Sequence, residues 1–133
     1  MLHWNFGLAW IAFALAVALH VADEASHDFL ALYNPNARAI RAKLHLPVPI
    51  FTFRGFLITL GLGVALLLVL SPVAFHGAHW LRVTALPLGI LVGIFNGLLH
   101  IAGSLFYRRK LAGVLTAPVL LAAGTWLLWS ASA

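Results

Sequence analysis

The chain contains no cysteine, and only three of its 133 residues are acidic. The first absence rules out disulfides and thiolate metal ligands, leaving imidazole and carboxylate as the groups that would bind an ion. The second leaves the eight Lys and Arg almost without partners, for a formal charge of +5 with the seven histidines neutral. Charge of either sign is scarce, at 8 % of residues, against roughly a quarter in soluble domains. With 63 % hydrophobic residues and a mean hydropathy of +1.02, the composition predicts a single integral membrane domain over residues 1–133. A nucleic-acid partner is excluded despite a pI near 10.9, because the basic residues lie between apolar runs without interleaved aromatic readers. Membrane lipids are the partner that this charge pattern predicts.

The apolar residues come in blocks of about the ~20 needed to cross a bilayer. Four spans are predicted: Trp4 to Leu32, Thr52 to Leu70, Leu81 to Tyr107 and Leu111 to Trp129. The expected fold class is therefore all-α, a four-helix transmembrane bundle, and a homo-oligomer is compatible with it. Asn34-Pro35-Asn36 is expected to stop the first helix, since proline cannot donate to the ladder. The following Ala37 to Leu46 reads as a short helix lying at the headgroups. The first segment lacks a basic flank before its core and reads as a span rather than a cleaved leader.

Loop charges give an orientation. Arg38, Arg41 and Lys43 lie in the first loop, with Arg54 just inside the second span, and Arg108, Arg109 and Lys110 in the third loop. The positive-inside rule then puts these loops in the cytoplasm and both termini outside. His20, His27, His45 and His100 fall toward the cytoplasmic ends, whereas His3, His76 and His79 lie about 30 Å away. Only the first group is able to share a site. His3, Trp4, Trp80, Trp126 and Trp129 read as interfacial, and Gly61, Gly63, Gly89 and Gly93 as close helix packing.

All the acids sit in one stretch, His20-Val21-Ala22-Asp23-Glu24-Ala25-Ser26-His27-Asp28. At about 3.6 residues per turn, His20, Asp23, Glu24 and His27 fall within an arc of about 100° and share one helix face. Spans one and three run in the same direction, and Asn96 and His100 stand one turn apart at the matching end of span three, with Tyr107 further along. Leu19-His20-Val21-Ala22 and Leu99-His100-Ile101-Ala102 also match as LH(V/I)A, compatible with a weak two-plus-two parallel repeat.

Together with Asn96-Gly97-Leu98-Leu99-His100 and Ala112-Gly113-Val114-Leu115-Thr116, the His20-Val21-Ala22-Asp23-Glu24 motif resembles that of the HXXEE family of small bacterial integral membrane proteins. Asp23 stands where that motif has its first Glu. The resemblance implies a bacterial inner-membrane location and importance for His20, Asp23 and Glu24, and it implies no reaction. From the residues themselves, His20, Glu24, His27 and His100 are candidate ligands of a divalent metal, zinc before iron or manganese. Asp23 or Glu24 is the candidate catalytic base, and Asn96, Arg54 and Tyr107 are candidate orienting or substrate-binding residues. A metal-dependent hydrolase acting on a lipid or amphiphile would use such a set. The other readings are a proton- or ion-coupled transporter, a haem held by His20 and His100, and a purely structural cluster in which the acids pair with Arg38, Arg41, Arg54 or Arg108.

Overall fold

A backbone in lipid has to satisfy its own hydrogen bonds, so long apolar runs are driven into helices. The computed structural model describes residues 2–133, with side chains from Trp4 onward. The His3 side chain, expected at the interface, lies outside the described residues. Among those described, all regular structure is helical: α1 (Leu2–Ser26), α2 (Phe29–Leu44), α3 (Phe53–Val69), a short α4 (Ser71–Phe75), α5 (His79–Pro87), α6 (Asn96–Phe106) and α7 (Ala117–Ser132). A π-helical stretch, Leu88–Phe95, joins α5 to α6 without a break in the chain's direction of winding. Three stretches, Trp4–Ser26, Phe53–Phe75 and His79–Phe106, are long and apolar enough to cross a membrane.

The ends of the elements differ from the expected spans in ways that bear on the site. α1 stops at Ser26 rather than running to Leu32, because Asp28 takes a left-handed conformation with φ of 55°. Its last carbonyls are met by side chains: Ser26 Oγ–H donates to the Ala22 carbonyl and His27 Nδ1–H to that of Asp23. Conversely, Pro35 does not stop a helix but lies inside α2. The Asn34 side chain bonds both backbone groups of Phe51, and Asn36 donates to the Leu32 carbonyl, which holds α2 together around the missing N–H. The segment expected to open the fourth span, Leu111 to Thr116, is a turn with Gly113 at φ +81°. The helix that follows has 16 residues, short of the ~20 that span a bilayer unaided.

α1 is the centre of the packing, with α3 and α4 on one side and α7 on the other; α7 also meets α5, the π-helical stretch and α6. Phe6, Trp10, Phe13, Leu81, Leu120 and Leu127 are fully buried between them. Trp10 donates its indole N–H to the Leu67 carbonyl at 2.7 Å, tying α1 to α3. At the same end, Arg82 lies 4.9 Å from the Phe6 ring centre and donates to the Ser130 carbonyl, which satisfies a cation in an apolar setting. Trp126, expected at the interface, packs on this core and donates to Asn5 Oδ1 at 3.1 Å.

The glycines divide by position. Gly89 and Gly93 let the π-helical stretch press onto α7, where a Cβ on Gly124 would lie 2.8 Å from the Gly93 Cα. Gly61 and Gly63 on α3 have no such neighbour, so the close packing expected of them does not occur within the chain. Gly124→Ala is expected to lower stability by about 1–3 kcal/mol, through overpacking against backbone that has no room to yield. Gly61→Ala, facing open space, should be neutral or gain up to about 1 kcal/mol. Denaturant titration in detergent checks both, and equal effects would contradict the packing described.

Candidate metal centre

The break after Ser26 and the turn at Gly113 bring three buried side chains to one point. His20 and Glu24 stand one turn apart on α1, and His100 reaches them from α6. Glu24 Oε1 lies 3.0 Å from His100 Nε2 and 3.6 Å from His20 Nε2. The imidazole rings meet edge to face with centres 4.6 Å apart. Exposure is 2 % for His20, 5 % for Glu24 and 8 % for His100, so water contributes little to satisfying them.

The hydrogen-bond partners fix which nitrogens carry protons. His100 Nδ1 is 2.6 Å from the Ala112 carbonyl, which only accepts, so Nδ1 is the donor and Nε2 presents a lone pair when the ring is neutral. His20 Nδ1 is 2.9 Å from Thr116 Oγ1, whose single proton goes to Asp23 Oδ2, also at 2.9 Å. His20 Nδ1 therefore donates to Thr116, and its Nε2 lone pair faces inward as well. Two imidazole lone pairs thus converge on a carboxylate oxygen. Asn96 Nδ2–H donates to the His20 lone pair, and the approach of His100 Nε2 to Glu24 is repulsive unless a proton or another cation lies between them.

The donor atoms of His20, Glu24 and His100 all lie within 4.8 Å of one another, and the three residues together are able to hold a metal ion. A tetrahedral ion with bonds of about 2.1 Å sets its ligands about 3.4 Å apart, close to the two edges measured through Oε1. Asn96 stands beside this group as a hydrogen-bond donor, its Nδ2 lying 3.2 Å from His20 Nε2. The hydrogen bonds from the two Nδ1 atoms to Thr116 and Ala112 are the outer supports that hold metal-ligating histidines in orientation.

Asp23 on α1 and His27, in the turn just after it, share a helix face in the sequence pattern but are not in this group. Asp23 accepts from the Thr116 hydroxyl, from the Thr116 backbone N–H at 3.3 Å and from His27 Nδ1 at 2.8 Å. It places a negative charge at the first turn of α7, where the helix dipole favours it. The His27 side chain is 56 % exposed and spends Nδ1 on Asp23. Asp28 and Arg54 are exposed, His45 caps the end of α2, and Tyr107 ends α6. Among the described residues every ion pair of an acid is with histidine, so the arginine partners considered for Asp23 and Glu24 are not the ones they have.

Thr116, Gly113 and the Ala112 carbonyl complete the centre and were not singled out from the sequence for any role. A Cβ on Gly113 would fall 2.6 Å from His100 Nδ1 and 2.8 Å from His20 Cε1, so this turn touches both rings. Phe29 covers His100 from outside, with ring centres 5.6 Å apart. Two clefts of about 400 Å³ flank Phe29, one reaching Glu24 and Asn96 and the other Asn96 and His100.

Compared with known proteins, the chain matches no family model, no curated protein and no solved structure. The site therefore stands on its own geometry. Thr116→Val leaves His20 Nδ1 and one Asp23 oxygen without their shared partner and is expected to cost about 1–3 kcal/mol. Thr116→Ser keeps the hydroxyl and should stay close to the parent. Unfolding of both variants in detergent is the check, and indistinguishable midpoints would show that the hydroxyl holds nothing.

Proposed function

We propose that this chain is a four-span membrane protein whose His20–Glu24–His100 centre holds a divalent metal, zinc before iron or manganese, and hydrolyses a lipid or amphiphile. The observation that carries the reading is the convergence of two imidazole Nε2 atoms and a carboxylate oxygen, each buried, with both Nδ1 atoms tied outward. Two histidines and a glutamate are a ligand set that leaves a zinc coordination position for water or substrate. When bound, the ion supplies Lewis-acid polarisation of an ester, amide or phosphodiester and activation of water.

The chain's own residues have separable tasks in this reading. His20 and His100 bind, Thr116 and the Ala112 carbonyl orient them, and Asp23 acts through Thr116 as a positioning residue. Glu24 contacts both histidines through Oε1, binds with them as the third and only anionic ligand, and also lines the adjoining cleft. Asn96 is positioned to orient substrate beside His20. The short α7 and the turn before it would together form the fourth crossing, with the loops bearing Arg38, Arg41, Lys43, Arg108, Arg109 and Lys110 in the cytoplasm of a bacterial cell. His20, Asp23, Glu24 and His100 also carry the resemblance to the HXXEE family, and the meeting of His20, Glu24 and His100 at one place, with Asp23 supporting it through Thr116, supports membership as part of the same proposal.

A transporter needs a polar path to the far face. Between the centre and the opposite end, α1 buries Phe6, Ala9, Trp10, Phe13 and Ala16, none ionisable, which favours a centre entered from one side.

The reading predicts zinc-dependent release of product from a panel of lipid esters, amides and phosphodiesters in detergent. Thr116→Val should weaken metal affinity about 10–100-fold, with activity recovered at excess zinc, as befits an outer support rather than a ligand. Glu24→Gln should lose activity at any zinc concentration. Turnover that resists both a chelator and Glu24→Gln, or no turnover across the panel with metal bound, would overturn the hydrolase.

A further inference from the structure

Two adjoining hollows beside the centre, together a trough, differ in their chemistry. At one end, a hollow of about 260 Å³ is lined by Arg109 and Lys110 together with Phe29, Leu32, Leu111 and Ala112. Phe29, Leu32 and Leu111 also line the neighbouring 400 Å³ cleft, which continues past His100 to Leu99 and Asn96. The shared walls place the two spaces side by side. The basic end lies in the turn after α6, and the apolar end lies against the membrane-length stretch His79–Phe106, where Leu99 is half exposed. His100, one of the three converging groups, lines the second cleft and bonds the carbonyl of Ala112, which lines the first.

The charge at the open end is unbalanced. Arg108, Arg109 and Lys110 follow one another, and none makes an ion pair among the described residues. The acid nearest in the lining is Asp28, set against Arg109, Lys110 and His27. The far end is apolar, with Leu99, Leu32 and the Phe29–Tyr33 stack as its walls. Basic groups at the surface and an apolar channel beneath match a phosphate headgroup followed by a hydrocarbon chain.

We infer that this trough binds an anionic phospholipid drawn from the bilayer, its phosphate at Arg109 and Lys110 and one acyl chain lying along Leu32, Phe29 and Leu99. The bonds linking headgroup to chain then pass beside His100. The inference rests on the proposed hydrolase in that it names the substrate class, but lipid occupancy is measurable without turnover or metal. The source of the ligand is the membrane, because the chain-binding cleft opens beside a membrane-length helix rather than into a water-filled pocket.

The absence of native cysteine allows a direct test. Leu99→Cys in the trough, and Val119→Cys on the exposed face of α7, each carry a single fluorophore on chelator-treated protein in vesicles. The vesicles contain phosphatidylglycerol and phosphatidylcholine, with bromine on the acyl chains of one or the other. Brominated phosphatidylglycerol should quench at Leu99 with a relative binding constant about fivefold or more above phosphatidylcholine. At Val119 the two lipids should quench equally, and adding Arg109→Ala with Lys110→Ala should bring Leu99 to the same equality. Tyr107→Cys, which lines the same cleft, repeats the measurement independently of Leu99. Equal quenching at both trough positions, the same preference at Val119, or a preference that survives the double substitution would each overturn the inference. Lipid preference without hydrolysis would instead count only against the enzyme.

Discussion

Glu24 Oε1 sits 3.0 Å from one imidazole nitrogen and 3.6 Å from another, in a place almost closed to water. The Asn96 amide N–H meets the lone pair of His20, whereas the His100 nitrogen and the carboxylate repel unless a proton or another cation lies between them, and a buried carboxylate without a counter-charge is among the costliest groups a membrane helix can carry. Much of the local structure answers that demand. The Gly113 turn comes close enough to place the Ala112 carbonyl and Thr116 on the outer nitrogens of His100 and His20. Asp23 holds Thr116 from α1 and is itself favoured by the start of α7. These contacts hold protons on the outer side of both rings, so the inner nitrogens face Glu24 and, for His20, the Asn96 amide as well.

The same contacts join elements that otherwise touch little near this end. α1 and α6 meet mainly through the imidazole pair, and α1 and the α7 start mainly through Asp23 and Thr116. At the other end the work is done by apolar packing and the glycine approach of the π-helical stretch to α7. The chain thus separates a dry core from a polar centre along its length. π-helical turns recur next to functional residues in many helices, and here the stretch ends at Asn96, beside His20.

The helical character and three of the membrane-length stretches were legible in the sequence because hydropathy and length are local properties. The approach of His20, Glu24 and His100 was also legible, since the first and third spans are expected to run in the same direction and the residues lie at their matching ends. What the pattern hid were the breaks. Asp28 in a left-handed conformation is set by local backbone and side-chain bonds that hydropathy does not register, so the first helix read as continuous to Leu32. Pro35 read as a stop, yet the two neighbouring asparagines bond around it. Leu111 to Thr116 read as helix because it is apolar, which concealed Thr116 as a partner of His20; a glycine three residues ahead of a threonine before Ala117-Pro118 was the available sign of a turn.

The central claim is that the three converging groups enclose a metal ion, and elemental analysis of protein purified without a histidine tag tests it most directly. Near-stoichiometric zinc, or iron or manganese, in the parent, with loss in both His20→Ala and His100→Ala, is the result this account predicts. Absence of metal from the parent after incubation with each ion, in protein that remains folded, would contradict it and leave the group as a proton-bridged cluster.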